Sequence, residues 1–561
     1  MPNLQPNIAS NDLLQLEILI DGVNTGLNNL LKEATIHFEL NKIPSGKFSF
    51  ISSNLNVDQK DELPIDNLNL SDENKPVQFE LLIHVSDTKT TLFKGIIKSA
   101  NKILKDNQYV TKLECKDIGF DLTKNVVDNL TSEKTFDDLL SNFCGKINLE
   151  IDENLQGKSW GQEMISFNNS TSPWDFLVGY LDSIGMMVSL RNGKISGVDL
   201  LEKDVENSFM AENGINILSY TGKFDPQLKK SSVTMEIWNS DSQSMEKIEA
   251  GNSGSNNQII KVNQNNFESS TNSRIVETIL ERSNHNVYQG QVSTFGNLDA
   301  KVGQYITFNK VNEDIDGKSL LISQESHSIE NGSWKTEYNF GLENSKSFTE
   351  SIAQNTNQTQ QQIGQTNIIN GLQIGIVTQI ENDPLGQFRI KVRIPVISDS
   401  GEGIWARLAN MNGSKDRGTF FIPDVGDEVI VGCLDNNPDY PIILGSLYSS
   451  AKPTPFTVKE ENYIKAIVTK EESKMIFDDE KKSIEIVTKK GNRLLISEDE
   501  KGIVLEDENQ NKITMSDSGI SLESSKDFTI KANGNIKIEG MQNTIKASAI
   551  MELKGSLIKI N

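Results

Sequence analysis

Reactive chemistry is scarce in this sequence. Its 561 residues include three cysteines and four histidines. Cys115, Cys144 and Cys433 are too few and too far apart for a disulfide framework or a cysteine metal site, and suit a reducing compartment as buried small apolar residues. His37, His84, His285 and His327 are scattered and none lies beyond His327, so sequence-local ligands cannot assemble a zinc or iron site. No run of roughly 18 apolar residues is available to cross a membrane. Met1 to Asp21 lacks a basic flank leading into an apolar core, which excludes an ordinary secretory signal there. The expectation is a cytoplasmic protein at synthesis. Lys and Arg number 55 against 78 Asp and Glu, a net charge of −23, and no basic block occurs, which excludes a phosphate-binding, nucleic-acid surface. Acidity of this size favours solubility and keeps copies apart.

Catalytic signatures are missing too. No Gly-x-Ser-x-Gly elbow, phosphate-binding glycine loop or His-Glu-x-x-His is present. Asp152, Asn154, Gly157 and Glu163 fall on part of a calcium-loop template, but Gln156 breaks it and a strand, not a helix, precedes it. Asn312, Asp314, Asp316 and Gly317 start a similar pattern, with Ser323 where a bidentate Glu belongs. Plain turns account for both. Asp137 and Asp138 resemble a glycosidase pair but sit where carboxylates favour the first turn of a helix. Trp174, Trp405, Phe420 and Phe421 are open to a sugar platform, though packing or subunit contact explains aromatics more often. The expectation is no catalytic, cofactor-binding or metal residue, and no enzyme.

What the chain does contain is organised. Its length fits three or four domains, and a 36% hydrophobic content supplies their cores. Residues 1–344 read as α+β, with strands such as Phe79 to His84 and Phe93 to Ser99. Helices are expected over Thr135 to Cys144, Ser172 to Ile184, and Ser273 to about Arg282. Thr135 with Asp138 makes a capping-box pair, and Ser172 with Pro173 supplies an N-cap and first helical position. Residues 345–370, with Gln-Thr-Gln-Gln-Gln, read as a polar linker. Over 371–450, Phe388, Ile390, Val392 and Ile394 alternate with Arg389, Lys391 and Arg393, a strand with one buried face, which suits a small barrel. A connector with Pro453 and Pro455 covers 451–470.

From about Met475 to Asn561 the pattern is a repeat. Apolar pairs two residues apart recur at Met475/Phe477, Ile484/Ile486, Leu494/Ile496, Ile503/Leu505, Ile513/Met515, Ile520/Leu522, Phe528/Ile530, Ile536/Ile538, Met551/Leu553 and Ile558/Ile560. Gly491, Gly502, Gly519, Gly534, Gly540 and Gly555 punctuate them. Each strand offers about two inward side chains, too few for one chain to enclose. Three copies around an axis would bury Ile484 through Leu553 as a shared core and remove exposed strand edges. A single-chain β-helix is the alternative, but its coils usually need about twenty residues. Lys481, Lys482, Glu485, Lys489 and Lys490 read as a solvated outer face.

On these residues the chain resembles the VgrG and phage tail hub-spike family of type VI secretion and extracellular contractile injection systems. Asp383-Pro384, Gly386, Arg393, Trp405, Arg407 and Val425-Gly426-Asp427-Glu428-Val429 through Gly445-Ser446-Leu447-Tyr448 carry the resemblance in the barrel. Phe93-Lys94-Gly95-Ile96, Trp174-Asp175-Phe176-Leu177 and Val302-Gly303 carry it more weakly upstream. The resemblance implies a multidomain chain: an α+β tail-hub domain, a small OB-fold β-barrel, then a trimeric C-terminal β-helix, or β-prism, over 471–561. It implies a homotrimeric spike that nucleates the inner tube, punctures the target envelope and delivers effectors. Implied partners are the inner tube protein, baseplate proteins, effectors or their adaptors, a transiently touched target membrane, and a PAAR-like tip protein on Leu557, Ile558, Ile560 and Asn561. The spike would be cytoplasmic at assembly and then secreted or ejected. A lysozyme-like insert, a histidine-rich apex, a fused effector and the Val-Gly repeats that name the family are absent. The competing readings are a receptor- or sugar-binding tail protein and a wall-degrading tail lysin.

Overall fold

A computed structural model of the protein describes residues 14–560 apart from 54–64, 66–67, 69, 71–74, 86–87, 106–107, 125–134, 157–170, 203–207, 240–241, 253, 263–268, 343–368, 370 and 398–400. Two compact units, Met1–Leu447 and Tyr448–Asn561, divide the chain.

In the first unit a 13-stranded sheet dominates. Its hydrogen-bonded path runs Ile217–Phe224, Tyr288–Phe295, Ser333–Phe340, Ser319–Glu330, Leu31–Glu39, Ser45–Ser53, Gln108–Lys116, Thr88–Lys105, Gln78–Val85, Gln15–Ile20, Val23–Asn24. Alternation places Ala34, Ile36 and Phe38 on one face, where they pack with Phe48, Phe79 and Phe93. The Phe48 and Phe79 rings lie 4.3 Å apart.

Among the described residues three α-helices line this unit. The first, α1, spans Phe136–Lys146: Thr135 Oγ1 accepts from the Asp138 amide at 3.2 Å, and the Asp138 carboxylate accepts from the Thr135 amide at 3.2 Å. Both orphan donors are satisfied reciprocally, as the sequence predicts. Thr135→Ala should cost about 1 kcal/mol, measured as a lower urea midpoint of the unfolding transition. The second, α2, spans Pro173–Ser183 with Ser172 Oγ accepting from the Asp175 amide at 3.1 Å. It is buried nearly all round, packed between α1 and the hairpin Met186–Arg191/Lys194–Asp199. The third, α3, spans Ser269–His285, beginning before the predicted Ser273 because its first turn, Ser269 to Asn272, is polar throughout and carries no apolar signal. It covers the sheet Ser244–Gly251, Ser232–Asn239, Asn257–Val262 through Val233, Met235, Ile260 and Val276.

Two buried ionic networks tie distant segments together. Arg282 on α3 meets Asp182 on α2 at 2.6 Å, and Asn41 Nδ2 donates to the same carboxylate at 2.8 Å. Arg191 pairs with Glu325, whose other oxygen meets His327 Nε2 at 2.7 Å. The Arg191 guanidinium also lies 3.7 Å from the Phe38 ring centroid.

Residues from Leu372 to Ser446 close a five-stranded barrel of Leu372–Gln379, Ile390–Arg393, Ile404–Leu408, Pro441–Ser446 and Glu428–Cys433. Val377, Ile390, Val392, Val429, Val431 and Ile443 fill it. Gly375 is required here, since a Cβ would stand 2.6 Å from a Val392 methyl. Phe388 does not join the buried alternation: it is 94% exposed with φ of 59°. The Asp383 carboxylate captures this stretch, accepting from the amides of Leu385, Gln387 and Arg389 and from the Arg389 guanidinium at 2.7 Å. Burial pushes the Asp383 carboxyl up, but the hydrogen bonds and charge of Arg389 outweigh it and hold the group well below the usual carboxylate range. Of the predicted linker 345–370, only Ile369 is described: it is buried, and its amide donates to Asn436 O at 2.9 Å.

The second unit carries a seven-stranded antiparallel meander, Ile464–Val468, Lys474–Asp478, Ser483–Val487, Arg493–Ser497, Gly502–Glu506, Lys512–Ser516 and Gly519–Glu523. It begins before the predicted Met475. The ladder expected to run on to Asn561 stops at Glu523: residues 524–560 have no strand pairing within the chain, and Asn561 lies outside the described residues. Their backbone has no neighbouring strand in a single copy.

Candidate functional site

The residues singled out for chemistry form turns and caps. Asp152 Oδ1 accepts from the Asn154 amide at 3.1 Å and Oδ2 pairs with Lys194 at 2.9 Å. Gly157 and Glu163 of that template lie outside the described residues. Asn312 Oδ1 accepts from the Asp314 and Ile315 amides at 3.1 and 3.2 Å, and Asp316 Oδ1 accepts from Val311 at 2.9 Å, an arrangement that closes a turn. Trp174 is core, whereas Phe420 and Phe421 are exposed on a barrel loop. Trp405 lies beside Lys391, whose Nζ is 5.7 Å from its ring centroid. Among the described residues no three His, Cys, Asp or Glu side chains group to hold a metal, and no helix is long and apolar enough to cross a membrane.

The meander is where the predicted site residues converge. Strand registers pair Ile484 with Ile496, Ile496 with Ile503, Ile503 with Met515 and Met515 with Ile520. A second column pairs Ile486 with Leu494, Leu494 with Leu505, Leu505 with Ile513 and Ile513 with Leu522. Directly opposed residues of an antiparallel pair share a face. All ten therefore make one two-column apolar surface. Met475 and Phe477 extend it by pairing with Ile486 and Ile484. Eight of these ten residues have exposures from 38% at Ile484 and Ile503 to 67% at Ile520, and Leu494 and Ile513 are half-buried. A cleft of about 640 Å³ opens on the face, lined in part by Ile486, Leu494, Leu505, Ile513, Leu522 and Phe528.

The opposite face is different. Leu495 and Val504, directly paired, are buried within the single chain, and the Arg493–Glu485 ion pair at 2.5 Å flanks them. Sequence reasoning passed over Leu495 and Val504. Their signal is weak: Arg493–Ser497 and Gly502–Glu506 carry three consecutive apolar residues, but so does Lys474–Asp478, whose middle residue, Ile476, is only half-buried. The remaining predicted residues, Phe528, Ile530, Ile536, Ile538, Met551, Leu553, Leu557, Ile558 and Ile560, are exposed on unpaired backbone.

A surface of this extent is unusual on an isolated chain, because large contiguous apolar patches mark interaction sites. Comparison with known proteins gives it a context. Residues 483–561 match the phage baseplate V C-terminal trimerisation domain, and residues 373–448, the closed barrel, match the type VI secretion system/phage-baseplate injector OB domain. The chain belongs to the VgrG spike family. Residues 10–331, more than half of the chain, match the Alg8 N-terminal domain, and over that stretch it belongs to that family as well. Curated VgrG relatives align over short stretches. Pseudomonas aeruginosa spike protein VgrG5 is 38% identical over 63 residues, which is 11% of this chain and 8% of the relative. VgrG2a of the same organism is 32% identical over 112 residues, 18% of this chain and 13% of the relative. VgrG3 of Vibrio cholerae is 34% identical over 76 residues, 13% and 8% of the two. The chain thus matches about a tenth of the length of these VgrG relatives. A chain of the half-lidded PdpA–VgrG complex of Francisella shares the fold, with a TM-score of 0.53 at 13% identity over 92% of this VgrG-family chain and 89% of that one.

Proposed function

We propose that this chain is the homotrimeric spike of a contractile injection machine. The observation that carries the reading is the two-column apolar face of the meander, exposed in one chain and built from the residues that a shared interior needs. Three copies would bury these columns against one another, and Phe528 to Leu553 would gain partner strands, completing a β-prism over 471–561. Continuous inter-strand hydrogen bonding would leave few flexible joints along it. A narrow, stiff tip driven by sheath contraction concentrates force on a small membrane area. The puncturing step is mechanical, and no catalytic group is assigned to it.

Upstream, residues 1–344 would form the hub that seeds the inner tube and meets baseplate proteins, with 345–370 joining it to the OB barrel at 371–450 and 451–470 leading into the prism. Leu557, Ile558, Ile560 and Asn561 would seat a PAAR-like tip protein, and effectors or their adaptors would ride on the assembled particle. Assembly in the cytoplasm and ejection into the target or the extracellular space follow from that role.

Light scattering on the purified chain tests the trimer. Three times 62.4 kDa, about 187 kDa, is expected, and a monodisperse monomer would overturn the reading. Adding inner tube protein should then produce seeded polymer. Deletion from Leu557 onward should abolish capture of a PAAR-like protein while leaving the mass of the trimer unchanged. Loss of the trimer on that deletion would instead place those residues in its core.

A further inference from the structure

The barrel is two-sided on its outer surface. On the wall formed by Ile390–Arg393 and Ile404–Leu408, the outward positions hold Lys391, Arg393, Trp405 and Arg407. On the wall formed by Leu372–Gln379, Glu428–Cys433 and Pro441–Ser446 most of them hold aliphatics, with Thr378, Glu428 and Ser446 at its edge. Alternation sends Gly375, Val377, Val429, Val431 and Ile443 inward, so Leu372, Ile374 and Leu444 point out. Leu372 and Leu444 converge over Gly432, where a Cβ would stand 3.3 and 3.6 Å from their methyls. A closed barrel has already filled its interior, so a second apolar layer outside it needs a cover.

A second apolar patch sits on the loop leading into Glu428–Cys433. Phe420, Phe421 and Val425 stand exposed there, and together with Leu372, Ile374 and Leu444 they range from 43% to 85% accessible. The barrel exposes other apolar side chains, among them Leu385, Phe388, Val396 and Met411, but these two sets differ in position and chemistry, and unlike surfaces suit a cyclic arrangement of three copies. In such a ring the interface is heterologous: one surface of each copy meets a different surface of the next. A two-fold interface would instead need one self-complementary patch.

We infer that the Phe420–Val425 loop of one copy docks on the Leu372/Ile374/Leu444 wall of the next, joining three barrels in a ring. The inference rests on the trimer reading above. The occupant is a second copy because the trimerisation-domain match begins at residue 483, shortly after the last barrel strand ends at Ser446. Tethering at that distance holds the barrels at an effective concentration in the millimolar range, at which a small apolar contact is populated.

Thiol labelling of the full chain tests it. In a Cys433→Ser background, Leu444→Cys should react with a polar maleimide roughly tenfold more slowly than the same thiol in urea, and adding Phe421→Glu should restore the fast rate. Leu444 and Phe421 are exposed in the single chain, and the half-buried Cys433 is replaced by the near-isosteric serine in every arm, so folding is compared within one background. Fast labelling in a particle of trimer mass overturns the barrel contact and leaves the spike reading standing. Slow labelling that ignores Phe421→Glu also overturns it, since something other than the loop then covers the wall. A monomer mass overturns both.

Discussion

Replacing Ile486 and Ile503 with aspartate should convert the particle from about 187 kDa, three times 62.4 kDa, to a 62.4 kDa monomer. The two residues stand in different columns of the meander face, Ile486 beside Leu494 and Ile503 beside Ile496 and Met515. In the proposed trimer each substitution repeats three times around the axis, so six carboxylates would enter a shared interior in which their register partners, Met475, Leu494, Ile496 and Met515, are all apolar. An unpaired buried charge costs several kcal/mol even after relaxation, and like charges around one axis add repulsion. The total exceeds what an assembly of ordinary affinity can absorb. The fold of the single chain should survive, because Ile486 is 46% and Ile503 38% exposed without partners. Circular dichroism would therefore keep its β signal while light scattering reports a third of the mass. Lys481→Glu, on a turn between strands, should leave the mass at that of the wild type. A double aspartate chain that stays trimeric would mean that the columns face solvent in the assembly.

The apolar columns were legible in the sequence because a meander of short strands keeps its period and its turns local. Each pair two residues apart reports one face, and the registers then place like against like. The same locality made α1 and α2 readable from their caps. Legibility failed where a local signal was overridden or missing. Phe388 fits the alternating pattern, yet Asp383 reaches forward to the amides at 385, 387 and 389 and holds the chain out of the sheet until Ile390. Ile464–Val468 was missed because Lys465, whose register partner is Phe477, interrupts the column pattern. Beyond Glu523 the apolar pairs persist in sequence while the pairing does not, because a single chain offers no strand for them to bond. The ionic networks were not legible at all: Arg191 and Glu325 are 134 positions apart, and Asp182 and Arg282 are 100 apart. Nothing in either neighbourhood announces its partner.

Arg191→Met should destabilise the first unit by about 3–5 kcal/mol, the range measured when one member of a buried ion pair is removed. Glu325 is 1% exposed and would be left as a buried carboxylate facing His327, with only the Val302 amide at 3.2 Å and the imidazole for support. Lysine would not substitute well, since the guanidinium also stacks on Phe38 and a compact ammonium is more strongly hydrated. The pH dependence identifies the cause. Burial pushes the Glu325 carboxyl up, but Arg191 and His327 outweigh it and hold the group below its ordinary value. A carboxylate depressed by folding contributes stability that is complete above the ordinary carboxylate range and is lost as pH falls through its folded value. Wild-type stability from this pair should thus weaken only in acid. In Arg191→Met the burial effect is no longer countered by the guanidinium, so folding favours the protonated carboxyl and the deficit should shrink as pH falls from about 7 toward 5. Urea midpoints of both chains at the two pH values give the comparison. Adding Glu325→Gln to Arg191→Met should recover much of the loss at neutral pH, because it removes the charge and keeps the shape. A deficit that grows on acidification, or that the second substitution deepens, would show that Arg191 acts through packing on Phe38 rather than through the buried charge.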